Sequence, residues 1–105
     1  MRENDLKVAQ ELKRRLSEVV PLLDFRVFGS RARGDADEYS DMDVFLEVAR
    51  IGVEIKEKIE NIVWEVGFEN FMVISPLLFT RHEVENTPLR SSSIVKTIAE
   101  EGVVV

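Results

Sequence analysis

Residues 41–48 alternate without a break, and that alternation constrains the chain more than any other feature. Met42, Val44, Leu46 and Val48 are apolar, and Asp41, Asp43, Phe45 and Glu47 interleave with them. Side chains on a strand point to opposite faces in turn, so a period of two predicts a strand with one face in the core. Asp41 and Asp43 then share the other face, roughly 7 Å apart at ~3.3 Å per residue. Two ionised carboxylates at that spacing repel unless a cation or a shared proton compensates them. Magnesium takes hard oxygen ligands and leaves room for water and phosphate oxygens, so a strand-borne Asp-x-Asp suits it. By spacing alone the pair also fits two solvated residues at the start of an edge strand.

The segment just upstream adds a phosphate-sized turn. Residues 25–28, Phe-Arg-Val-Phe, predict a short strand ended by Gly29. Glycine allows positive φ and close approach of a ligand to the backbone. Ser30 is placed to cap a helical turn through Arg31–Arg33, and a helix start with free N–H groups attracts anions. Arg31 and Arg33 add cationic donors beside it. Ser40 precedes the aspartates and is available to a backbone group or to a phosphate. Asp35, Asp37 and Glu38 are expected to be solvated loop charge. Tyr39 is expected to fold onto the domain, although base stacking or modification would also suit it. The lone His82 is expected at the surface or in a cap.

Gly29-Ser30, ten intervening residues and Asp41-x-Asp43 together resemble the minimal nucleotidyltransferases of the DNA polymerase β-like superfamily. The Arg-x-Arg-Gly and Ser-Asp between them are also typical of that family. The resemblance implies an α+β fold, a small mixed sheet with helices packed on one side, like the palm of those polymerases. It implies that Gly29 and Ser30 lie on the triphosphate of ATP, with Arg31, Arg33 and Ser40 nearby. It implies that Asp41 and Asp43 are the catalytic ligands of one or two Mg²⁺ ions. It further implies a small all-helical partner of the HEPN type, with the transferase acting like an antitoxin by adenylylating the partner's tyrosine.

The third acid departs from the family pattern. Members carry a further carboxylate on a later strand, but Phe71-Met72-Val73-Ile74-Ser75, running on past Pro76 to Phe79, holds no Asp or Glu. Glu69 is the best substitute by position, and Ser75 can face the site but cannot act as a carboxylate base. A substrate group, a water or a partner protein would have to complete the set, or the chain does not catalyse.

Composition excludes other classes. With 105 residues and 45% hydrophobic content, one domain over residues 1–105 with one core is expected. No apolar run near ~18 residues and no signal-like start are present, so a cytoplasmic protein without a membrane span is expected. Zero cysteines exclude disulfides and thiolate metal sites. A net charge of −6 argues against a broad nucleic-acid surface.

The remaining pattern predicts an amphipathic helix over 5–20, strands over 24–28 and 42–49, and a helix over 53–66 stopped by Gly67. Trp64 lies off that helix's apolar stripe. A strand over 70–75, extending towards Phe79, is followed by a helical turn over 82–86. Thr87-Pro88 is expected to open a last helix in which Leu89, Ile94, Val95, Ile98 and Ala99 are apolar and which stops at Gly102. Val103-Val104-Val105 fits an edge strand or a partner contact, and self-association stays open. Three functional readings remain: a Mg-dependent transferase of AMP to a protein hydroxyl, a degenerate transferase that neutralises a helical partner by contact, and a transferase acting on a small molecule or an RNA end.

Overall fold

The computed structural model describes residues 1–105, with the side chains of all but Leu89 and Arg90. Helix α1 (Glu3–Ser17) is followed by β1 (Leu22–Phe28), the short α2 (Gly29–Arg33), β2 (Met42–Val48) and α3 (Val53–Glu69). Then come β3 (Ile74–Thr80), α4 (Arg81–Asn86), a 3-10 turn (Pro88–Ser91), α5 (Ser93–Glu101) and β4 (Val103–Val104). The strands form one sheet in the order β3-β2-β1-β4. β1 runs antiparallel to β2 and β4, whereas β2 and β3 are parallel. A parallel pair needs a crossover, and α3 supplies it. The sheet is therefore mixed, as the resemblance implies.

The core lies between one face of this sheet and the two long helices. Met42, Val44, Leu46 and Val48 are fully buried there, as their alternation requires. Leu12 and Leu16 of α1 and Ile59, Val63 and Val66 of α3 close over them. The other face carries Phe28, Asp43 and Ser75 in one row and Arg26, Phe45 and Leu77 in the next. The end of α5 rests on this second face, where Arg26 donates to the Ala99 carbonyl at 3.4 Å. Arg81 pairs there with the buried Glu47 at 2.9 Å.

Several boundaries differ from expectation for local reasons. α3 continues through Gly67 to Glu69 instead of stopping. Gly67 is needed there because a Cβ would lie 2.7 Å from the Met72 carbonyl oxygen, where the chain doubles back. The following strand begins at Ile74, since residues 70–73 form the return, with Phe71 at φ 54°. Pro76 is tolerated because β3 is an edge strand. Thr87 does not cap the last helix: its hydroxyl turns back to the Glu83 carbonyl. α5 starts later, with the Ser92 hydroxyl accepting from the Val95 N–H. Ile98 is buried, Ile94 and Ala99 are exposed, and the side chain of Leu89 lies outside those described. Val103 and Val104 do form an edge strand, paired to Val27 and Arg26.

Candidate active site at the open end of the sheet

Strand directions bring the motif residues together. β1 ends where β2 and β3 begin, so Gly29, Asp41, Asp43 and Ser75 collect at one end of the sheet. Phe28 pairs with Asp43, and Asp43 with Ser75, across three adjacent strands. The Ser75 hydroxyl donates to Asp41 Oδ2 at 3.3 Å. Gly29 sits at φ 76°, and a Cβ built on it would lie 2.5 Å from Asp43 Oδ2. Only glycine lets α2 start directly against that carboxylate.

The pair is electrostatically unsettled. Burial first, and then the charge of Asp41, push the Asp43 carboxyl above its ordinary range. Among the described residues no lysine or arginine forms an ion pair with either aspartate. No group of three acids or histidines converges there either. Two hard oxygen donors with uncompensated repulsion, facing an open end, fit a divalent cation whose remaining positions go to water and substrate oxygens. The cleared space at Gly29 allows a ligand to approach that same carboxylate.

Other predicted site residues have different work. Ser30 is not the cap of α2; Phe28 holds that position without a side-chain bond, and Ser30 lies inside the first turn. The Ser30 carbonyl accepts from the N–H groups of Gly34 and Asp35 at 3.0 and 3.1 Å. Arg31 is buried and engaged by acceptors of the protein itself. Its Nη1 donates to Asp5 Oδ1 at 2.7 Å and its Nε to the Ser40 carbonyl at 3.0 Å. Arg33 makes only an exposed pair with Asp35 at 3.2 Å and is free to reorient. The Ser40 hydroxyl serves the loop, donating to Asp37 Oδ1 and accepting from the Asp37 N–H, both at 3.1 Å.

The loop acids also divide. Asp37 is structural rather than simply solvated, because its carboxylate also accepts from the Tyr39 N–H at 2.9 Å, forming an Asx turn. Tyr39 does not fold onto the domain; it is 86% exposed. Glu69 is engaged with another helix rather than with the aspartates. Its carboxylate takes the Arg15 guanidinium at 2.7 Å, tying α3 to α1. The residue in register with Asp43 on the next strand is Ser75. Asp5 is not among the expected site residues. Its signal was its position on the buried stripe with Ala9, Leu12 and Leu16, where a lone charge requires a partner.

The family comparison settles the class. The nucleotidyltransferase domain model matches residues 7–105. This chain belongs to the nucleotidyltransferase domain family. A Methanocaldococcus jannaschii relative, provisionally named a protein adenylyltransferase, is 33% identical over 91 aligned positions, which span 77% of this chain and 92% of that protein. A crystal structure from Sulfolobus solfataricus, provisionally named a nucleotidyltransferase, superposes with a TM-score of 0.58 at 19% identity. It covers 94% of this chain and 77% of that one, and shows the shared fold. The nucleotidyltransferase thus keeps Gly-Ser and Asp-x-Asp at the sheet end and carries a serine on the third strand. Among the described residues no helix is long and apolar enough to cross a membrane.

Proposed function

We propose that this nucleotidyltransferase moves AMP from MgATP to a hydroxyl of a protein acceptor, a tyrosine of a small HEPN-type helical partner, in an antitoxin-like role in the cytoplasm. The observation that carries the reading is Gly29 set against Asp43, with Asp41 beside it. This places a backbone cradle and two carboxylates around one point. The protein name of the archaeal relative supports a protein acceptor over a small molecule or RNA end.

The roles follow from position. Backbone N–H groups at the start of α2 receive the β and γ phosphates, helped by Arg33 when it leaves Asp35. Asp41 and Asp43 would hold Mg²⁺, which when bound neutralises phosphate charge. The acceptor oxygen bonds the α phosphorus as the bond from that phosphorus to the bridging oxygen breaks. Pyrophosphate leaves on the cradle side, and the acceptor proton passes to water. Ser75 holds Asp41 by its hydroxyl and is no base at neutral pH, so the chain itself offers no third acid for that proton.

The test is label transfer from α-³²P-ATP with Mg²⁺ to the co-purified product of the adjacent reading frame. Asp43→Asn is expected to lower transfer at least ~100-fold, about 2.7 kcal/mol in barrier, with the fold intact. Full transfer by that variant would refute the metal role. A stable complex with no label in either chain would favour neutralisation by contact, the reading that the absent third acid favours.

A further inference from the structure

The two carboxylates are held in place by different means. Asp43 lies inside β2, in register with Phe28 on one neighbouring strand and Ser75 on the other. The sheet itself fixes its backbone. Asp41 stands one residue before β2 begins, outside that register. A residue at the end of a loop takes a fixed position only from the contacts around it. Two peptide groups flank Asp41. The one after it is tied to the chain entering β3, since the Met42 N–H donates to the Val73 carbonyl at 2.9 Å. The one before it is tied to Arg31, whose Nε donates to the Ser40 carbonyl at 3.0 Å. The Asp41 side chain is held by the Ser75 hydroxyl, at 3.3 Å from Oδ2.

Arg31 is suited to this task by its surroundings. Its side chain is 8% exposed, so little water competes for its donors. Nη1 is anchored to α1 through Asp5 Oδ1 at 2.7 Å. Nη2 points to the Asp37 carbonyl at 3.4 Å. The Asp37 carboxylate in turn accepts from the Tyr39 N–H and the Ser40 hydroxyl, so the turn over 37–40 is braced as a unit. One planar group thereby joins α1, this turn and the peptide that enters Asp41. A guanidinium can do so because its donors form a rigid fork, whereas an ammonium is a single point of charge. Arg33, on the same short helix, is exposed and paired with Asp35. The two arginines thus divide into an inward and an outward one.

We propose that Arg31 is a positioning residue for the ion site. Through the Ser40 carbonyl it sets where Asp41 stands relative to Asp43, and so how tightly the pair takes a divalent cation. The proposal rests on the reading of Asp41 and Asp43 as ion ligands and adds the group that brings one of them into place. Loss of a group behind a metal ligand commonly weakens the metal by about 10–100-fold.

The probe is Mn²⁺ alone, titrated into the full chain without nucleotide and followed by the loss of the free-ion electron paramagnetic resonance signal. Arg31→Lys keeps a charge for Asp5, whose Oδ2 has no partner among the described residues, but gives up the bonds to the Ser40 and Asp37 carbonyls. It is expected to weaken Mn²⁺ about tenfold. Asp5→Leu/Arg31→Met replaces the buried pair by apolar side chains and should stay folded. It has no donor for Ser40, so Mn²⁺ should stay about tenfold weaker there although stability is regained. Parent-like Mn²⁺ affinity in Arg31→Lys overturns the proposal. Recovery of affinity together with stability in the double variant also overturns it and makes Arg31 a purely stabilising residue. Unchanged Mn²⁺ affinity with weakened binding of α,β-methylene-ATP overturns it and gives Arg31 to the phosphates. Mn²⁺ binding that is absent in the parent, or that survives Asp43→Asn, removes the ion reading itself and the proposal with it.

Discussion

The two flanks of the carboxylate pair are built in opposite ways. On the β1 side, α2 and the loop after it are locked from beneath. Arg31 is buried against Asp5 and also donates to the carbonyls of Ser40 and Asp37. On the β3 side the chain is an edge strand with Pro76 inside it, a strained turn at Phe71 and a row of exposed aromatics. The contrast assigns rigidity to the Gly29 flank, the one that the proposed reaction gives to the phosphates. It leaves the other flank accessible to a group that arrives from outside. A buried ion pair at 2.7 Å is a costly way to hold a loop, since both charges are desolvated and Asp5 Oδ2 has no partner among the described residues.

The strongest break of this comparison is therefore Asp5→Ala. It leaves the Arg31 guanidinium buried and unpaired, which costs about 3–5 kcal/mol. Urea unfolding should show that loss, and the Asp5→Leu/Arg31→Met pair should recover most of it. A single variant within about 1 kcal/mol of the parent would mean that Arg31 escapes to solvent and the locked flank is not locked. Matching truncations on the open flank, such as Trp64→Ala, should change stability far less, because that ring is 66% exposed.

A smaller effect separates the two glycines of the locked flank. Gly29 and Gly34 both have positive φ, 76° and 84°. Alanine at either position bears a backbone cost of about 1 kcal/mol. At Gly34 the nearest atom to a new Cβ is the Met1 nitrogen at 4.0 Å, so nothing further should happen. At Gly29 the Cβ would meet the Asp43 carboxylate at 2.5 Å, which forces that carboxylate aside. Gly29→Ala should thus lower Mg²⁺-dependent transfer about 100-fold, roughly 2.7 kcal/mol in barrier, whereas Gly34→Ala keeps transfer near the parent level. Equal losses in both would show that only loop stiffness matters.

The pattern of what could be foreseen follows from range. The strand of Asp41 and Asp43 and the two long helices are legible because period two and period 3.6 are local properties, whereas the mixed sheet is legible only through the family resemblance. The union of Gly29 with Asp43 was legible only through the family motif, since no spacing rule brings residues fourteen positions apart into contact. Arg31 reads in the sequence as a donor beside the turn, whereas the structure engages it with Asp5, 26 residues upstream and on another element. Ser40 was open between backbone and phosphate, and the Asx turn at Asp37 decided for the backbone. Glu69 is the best substitute by its proximity to β3 in sequence, but a helix that runs on through Gly67 carries it to Arg15 instead. The exposed position of Trp64 was visible from helical phase, whereas its stacking on Phe68 depended on α3 continuing.

Asp43 is where the two flanks meet, and its titration gives the mildest test. Burial and the charge of Asp41 raise its pKa in the folded chain above the unfolded value. The folded state then holds the proton more tightly than the unfolded state. The associated stability is present below the ordinary carboxylate range, about pH 3.9, and is lost as pH rises through the raised value. Asp43→Asn removes that loss. At pH 7 without metal the variant should melt roughly 2–4 °C above the parent, under ~1 kcal/mol after solvent screening of a half-exposed group. At pH 3 the difference should vanish. Added Mg²⁺ should reverse the order at pH 7, raising the parent and not the variant, because the cation supplies the compensation that neither flank provides. A variant that melts at or below the parent at pH 7 would mean that a partner on one flank already neutralises Asp43, and the site would then need no ion to settle it.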